Sequence, residues 1–236
     1  MARAGAVEIR VGYGGWTLSP FHSSVETRCE EIIQSEFFEL LNSILPESFL
    51  SPIRTQVGFS SSGTFLSAEF WVPLPRSRFA VGLRGDLIDF RAPFTASAKE
   101  TLDIFGFPIA DLSGSARGTV ALKGLGLSLL GRWTAVASRR VDLSLRVGLS
   151  AFPFQGRVTM DLEASASTIL GDLSYSGRLD RTIAEIREGN DEVPSLIIAP
   201  MLGLDGGVRI TPRTGVFMNL TVSQGTFFSI GFILLL

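Results

Sequence analysis

Val7, Ile9, Val11 and Tyr13 alternate with Glu8, Arg10, Gly12 and Gly14 across residues 6 to 18. A period of two is that of a strand with one apolar and one polar face. The pattern returns over residues 53 to 72, where Leu66, Ala68, Phe70 and Val72 oppose Ser67, Glu69 and Trp71. Pro73 and Pro75, which cannot donate ladder hydrogen bonds, end that run. Phe79, Val81, Leu83 and Leu87 then oppose Ala80, Gly82, Arg84 and Asp86 in a strand rising to Pro93. Residues 115 to 131 form a fourth strand whose apolar face changes around Gly124 and Gly126, which predicts a bulge there. The cleanest run sets Val141, Leu143, Leu145, Val147 and Leu149 against Asp142, Ser144, Arg146, Gly148 and Ser150. Strands at about 193 to 210, 216 to 222 and 227 to 236 complete the set of eight.

The connections also alternate. Long segments (19 to 52, 92 to 114, 153 to 192) are interleaved with short ones (73 to 77, 137 to 140, 211 to 214). This is the pattern of an antiparallel up-and-down barrel crossing an outer membrane, with short turns on the periplasmic side and long loops outside. Ten strands are also compatible, because Val158, Met160, Leu162 and Ala164 alternate with Thr159, Asp161 and Glu163, and residues 168 to 176 could return beside them. The alternative is a hairpin projecting above the membrane.

The first long connection changes period. Val25, Cys29, Ile32, Ile33, Phe37, Leu40, Leu41 and Ile44 recur at helical spacing, with Glu26, Glu30, Glu31 and Glu39 off that stripe. Ser23 and Glu26 make a capping box and Pro46 closes the segment, so a helix is expected over about 24 to 45, within a 23–46 insertion. Its acidic face disfavours lying flat on anionic headgroups. The expectation is a lid or plug, with Val25, Ile32, Ile33, Phe37, Leu40 and Leu41 facing the barrel mouth.

Composition agrees with this reading and narrows it. Hydrophobic residues are 45% and charged residues 19% of 236, and mean hydropathy is +0.32, yet no apolar stretch reaches the roughly 18 residues of a spanning helix. High apolar content broken at every second residue is what lipid-facing strands produce. A net charge of −2 offers no basic face for nucleic acid. The single cysteine, Cys29, excludes an internal disulfide, and no metal-ligand spacing is present. No cofactor is expected. The N-terminus lacks an apolar signal core, so residues 1 to 236 read as one mature barrel domain destined for a bacterial outer membrane.

The strand count, alternating connections and the amphipathic final strand from Thr226 to Leu236 resemble the small outer-membrane barrels of the OmpA, OmpX and OmpW type. The chain departs from that group by ending on Leu236 rather than an aromatic residue, and by carrying two Tyr and three Trp beside 18 Phe. The resemblance implies outer-membrane lipids and the barrel-assembly machinery as partners. Its OmpW side implies a small or hydrophobic ligand in the lumen.

Candidate chemistry lies on the polar faces. Glu8, Arg10, Glu69, Arg84, Asp86, Asp142, Arg146, Asp205 and Arg209 fall on the inferred inward side, since an Arg facing lipid near the midplane costs roughly 2–4 kcal/mol. They line either a porin-like conduit for small solutes or an ion-paired core that fills an eight-stranded lumen. A surface role through the long loops is a further reading. An enzyme is not expected, although His22, Ser24 and Glu26 are the raw material of an acyl hydrolase or transferase, and a His-x-Ser order resembles that of outer-membrane lipid A deacylases. A soluble ligand-binding barrel would need the opposite polarity.

Overall fold

Alternation at period two is kept by almost every strand of the molecule, and the ladder shows which face goes where. The computed structural model describes residues 7–17, 27, 30–35, 55–59, 62–104, 107–168, 171–189, 193–223 and 225–236. Its strands are β1 (Glu8–Thr17), β2 (Thr55–Phe59), β3 (Ser62–Pro73), β4 (Phe79–Ile104), β5 (Phe107–Ala137), β6 (Val141–Pro153), β7 (Gly156–Thr168), β8 (Gly171–Thr182), β9 (Leu196–Arg209), β10 (Thr214–Val222) and β11 (Thr226–Leu235). One short helix, Ile183–Gly189, follows β8.

Eight strands close a ring in the order β1, β3, β4, β5, β6, β9, β10, β11, with every neighbour antiparallel and β11 returning to β1. Closure leaves no unpaired edge within the ring, as a lipid environment demands. The shorter ring strands have 9 to 14 residues, matching the roughly 9–11 needed to cross a tilted bilayer path.

Polarity follows the pleat. Odd positions of β1, β4, β5 and β6 and even positions of β3, β9 and β11 face outward, and around the ring most of them are apolar: Leu83, Leu127 and Phe232 are 61%, 59% and 71% exposed, in a belt continued by Val11, Phe70, Leu145 and Ile198. The inward positions hold Arg10, Glu69, Arg84, Arg146 and Asp205, all buried. Apolar outside and charged inside is the reverse of a soluble ligand-binding barrel and is the arrangement of a lipid-facing one. On the β4–β5 pair the belt ends where Asp89 pairs with Lys123.

Two expectations change, and the choice between ten strands and a projecting hairpin falls to the hairpin. The segment 92 to 114 is no loop. β4 and β5 continue their ladder in one register from Phe79↔Trp133 to Leu102↔Ala110, so a hairpin runs past the belt, with Phe94 to Ile104 extending roughly 35 Å at about 3.3 Å per residue. Its outward positions turn from apolar to Thr95, Ser97, Ser113 and Ser115, so the hydropathic signal fades while the backbone pairing persists. The segment 153 to 192 contains the β7–β8 hairpin, the alternative to ten strands that the alternation left open. β7 pairs with the outer half of β5, from Ala110↔Thr168 to Leu122↔Gly156, and stays out of the ring, which therefore has eight strands. Finally, Gly124 and Gly126 are regularly paired with Ile88 and Asp86, and β5 keeps its even positions inward. The register shift lies at Thr134/Val136 instead. Both glycines stand on the inward face, so the absence of side chains there gives a false change of face.

The outcome is a ring with a five-stranded extension, β2–β4–β5–β7–β8, rising from one side. β2 carries the β3 register onward along β4, since Ser62↔Arg91 and Phe59↔Phe94 lie on one ladder.

Candidate functional site

The lumen is built in two layers, and the sequence pattern places the side chains of both. In the layer nearer the short turns, four arginines and four carboxylates from β1, β3, β4, β5, β6 and β9 form an alternating chain. Arg132 Nη1 donates to Glu8 Oε1 at 2.6 Å, and Glu8 also accepts from Arg10 Nε. Arg10 Nη1 reaches both oxygens of Asp205 at 2.7 Å. Asp205 accepts from Arg146 Nη2 at 3.1 Å, and Arg146 grips Glu69 with two bonds of 2.8 and 2.9 Å. Glu69 lies 3.8 Å from Arg84 Nη1, and Arg84 Nε donates to Asp86 at 2.8 Å. The eight charges sum to zero. Each internal member has an opposite charge on both sides, which is how buried ions offset their desolvation.

Aromatic rings complete the layer. Arg10, Arg84 and Arg132 each leave one buried nitrogen without an oxygen acceptor, and each of these guanidinium groups sits over a ring: Phe217 at 5.0 Å, Phe65 at 5.2 Å and Trp71 at 4.6 Å. A ring quadrupole is the partner that an orphaned N–H at such a place can find. Trp71 also donates its Nε1–H to Glu69 at 2.9 Å. Asn219 turns its amide oxygen to Arg146 at 2.9 and 3.2 Å and its nitrogen to Thr221 Oγ1 at 2.6 Å.

The rings fit because the wall opposite them is glycine. A Cβ on Gly12 would stand 2.8 Å from Phe217, one on Gly14 2.7 Å from Phe65, and one on Gly82 2.6 Å from Trp71. Side chains thus press on bare backbone and fill an interior that eight strands make barely wider than its own contents.

The second layer is apolar. Trp16 stacks on Phe227 at 5.1 Å and leans on Phe90 at 4.7 Å, and Phe65 meets Phe227 edge-on at 5.8 Å. Ile32 and Ile33, from the helical stretch 30–35 of the first long connection, are buried in the same cluster. The cluster continues along the inner face of the extension and beneath Ile183 and Ile186 of the short helix. That helix opens on a reciprocal capping box: Thr182 donates its N–H and hydroxyl to Glu185 at 2.7 and 2.9 Å, and Glu185 N–H returns a bond of 3.2 Å. The backbone N–H and then the hydroxyl of Thr182 hold the Glu185 carboxyl below the usual carboxylate range. Arg187 ties the segment down through the carbonyls of Phe154, Val193 and Pro194.

Of the residues singled out in the sequence, Glu8, Arg10, Glu69, Arg84, Asp86, Arg146 and Asp205 meet in the one network. Asp142 is half-buried against Gly207, and Arg209 is half-buried near the short-turn rim; neither joins the chain of eight. Val25, Phe37, Leu40 and Leu41 lie outside the described residues, as do His22, Ser24 and Glu26. Sequence reasoning missed Arg132, one residue past the expected end of its strand, although it continues the even-numbered inward positions. It also missed the Thr182-x-x-Glu185 box, which is a legible helix start.

No protein-family model matches the chain, and no curated protein matches it. Among solved structures it is similar to Ail, the attachment invasion locus protein of Yersinia pestis, in complex with the heparin analogue sucrose octasulfate, at 10% identity over 98% of this chain and 99% of that one, with a TM-score of 0.29. It is also similar to the transport unit of the autotransporter AIDA-I from Escherichia coli (8%, 98% and 89%, 0.27). A third is the outer membrane channel DcaP of Acinetobacter baumannii (8%, 99% and 98%, 0.18). With TM-scores this low, the three likenesses add no weight to the ladder and polarity above. On its own geometry the chain is an eight-stranded antiparallel up-and-down barrel with an apolar exterior and an ion-paired lumen.

Proposed function

We propose that the chain is an outer-membrane barrel with a closed lumen, whose role is to anchor the β2–β4–β5–β7–β8 sheet at the cell surface as an interaction platform. The observation that carries this reading is the lumen itself: among the described residues a neutral chain of eight buried charges and the stacked aromatic layer above it occupy the path a solute would follow. The extension supports the other half. Its inner face shares the barrel's upper core, while its outer face is polar and carries exposed ion pairs such as Arg157–Asp180 and Lys123–Asp89. No catalytic step is assigned to this architecture.

The test uses cysteine labelling on intact cells in a Cys29→Ser background. Ser174→Cys in β8 should react with a membrane-impermeant maleimide, whereas Ser77→Cys in the β3–β4 turn should react only after the outer membrane is permeabilised. Labelling of both, or of neither, on intact cells would remove the proposed orientation and with it the platform.

A further inference from the structure

The short-turn rim carries a charge pattern that the lumen does not explain. Arg76 and Arg78 stand in the β3–β4 turn, Arg139 and Arg140 in the β5–β6 turn, and Arg213 in the β9–β10 turn, all exposed. None has a carboxylate partner among the described residues, and those turns contain no Asp or Glu. Glu8 and Asp142, the nearest acids in sequence to this rim, face the lumen. At the other end Arg91, Lys123, Arg157 and Arg178 each lie within 3.9 Å of a carboxylate, although the exposed Lys99 and Arg117 show no ion pair among the described residues. A chain of net charge −2 has therefore gathered five uncompensated cations on one rim.

The turns do not need these side chains. In each, a hydroxyl makes the local bonds: Ser77 to Phe79 N–H at 3.1 Å, Ser138 to Val141 N–H at 2.9 Å, and Thr211 to Thr214 N–H at 3.0 Å. Of the five side chains only that of Arg78 bonds to a described residue, donating to the Ala135 carbonyl at 3.3 Å. Arg76 holds a left-handed φ of 57°, a conformation in which glycine would be unstrained, so charge is kept there against backbone preference. Exposed Leu74, Phe79 and Ile210 flank the arginines and mark this level as the end of the apolar belt. There, guanidinium groups on long stems reach headgroup depth, and Arg pairs with phosphate in a bidentate fork.

We infer that the five arginines form a collar that selects anionic phospholipid headgroups in the leaflet at the short-turn end. The inference rests on the membrane reading above. Heat-dependent gel mobility establishes the folded barrel separately, so failure of one is distinguishable from failure of the other. A basic residue near an anionic surface favours it about fivefold, which sets the scale for a lipid touching one arginine.

The measurement is spin-label electron paramagnetic resonance of the folded full chain in phosphatidylcholine vesicles holding a trace of spin-labelled phosphatidylglycerol or phosphatidylcholine. The motionally restricted fraction should favour phosphatidylglycerol by about fivefold at low salt, and the preference should fall toward one in high salt. It should also fall toward one in R76Q/R78Q/R139Q/R140Q/R213Q. If that variant fails the mobility test, R139Q/R140Q and R76Q/R78Q, each confined to one turn, should each lower the preference in part. No preference in the wild type, or an unchanged preference in the folded variants, overturns the collar. So does retention on peptidoglycan sacculi without lipid selectivity.

Discussion

Arg146→Met tests the lumen at the middle of its charge chain. The side chain is 2% exposed and makes three bonds to carboxylates, two to Glu69 and one to Asp205, beside those to the Asn219 amide oxygen, and it lies over Trp71 at 5.0 Å. Asp205 is the lesser casualty, because Arg10 still holds both its oxygens at 2.7 Å. Glu69 is the greater: it keeps the Trp71 indole and Arg84 at 3.8 Å, so one buried carboxylate loses its close cation. Breaking a buried pair from one side costs roughly 3–5 kcal/mol, and that is the expected loss. Removing both partners gives a different result. Arg146→Met with Glu69→Leu leaves two neutral pieces, Arg132–Glu8–Arg10–Asp205 and Arg84–Asp86, so the double variant should lie within about 2 kcal/mol of the wild type. Part of that remainder is the Trp71 N–H, which loses its acceptor. The assay is reversible urea unfolding in lipid vesicles followed by tryptophan fluorescence, for which Trp71 sits in the network itself. A single variant within 1 kcal/mol of wild type, or a double variant as damaging as the two singles combined, would refute the view of the lumen as a chain of coupled pairs.

Gly14→Ala should prevent or severely weaken barrel closure, by about 3 kcal/mol or more, because its Cβ meets the Phe228 carbonyl and the Phe65 ring. Gly15→Ala, one residue along on the outward face with nothing nearer than the Gly63 carbonyl at 3.7 Å, should retain the heat-dependent gel shift. Loss of the shift in both would mean that β1 is intolerant of any side chain rather than sterically filled inside. The Glu185 carboxyl, with its folded pKa depressed, supports the helix cap above the unfolded carboxylate range and loses that support as pH falls through the folded value. NMR titration of its Cδ should give a midpoint below the ordinary value of about 4.3, and Thr182→Ala should raise it. A midpoint at or above the ordinary value would contradict the cap.

The ring was legible in the sequence because lipid outside and ions inside write opposite chemistries on alternate residues. Val141 to Ser150 shows both faces without an exception, and the seven network residues named from that pattern converge on one lumen. The extension was obscured for the same reason. Beyond Asp89 and Lys123 the outward face meets water, so Thr95, Ser97 and Ser113 carry no hydropathic contrast although the ladder continues through them. Gly124 and Gly126 misled because a residue without a side chain marks neither face. Which arginine joins which carboxylate was beyond reach, since those bonds cross the barrel between residues as distant as Arg10 and Asp205 and depend on the register of every strand between.

Whether the lumen is shut can be read from conductance through a planar bilayer. The folded wild-type barrel should give no unitary current steps. Arg146→Met should give none either, because the Trp16, Phe90 and Phe227 layer lies beyond the ionic one. Reproducible steps in the wild-type protein would contradict the account and restore the conduit.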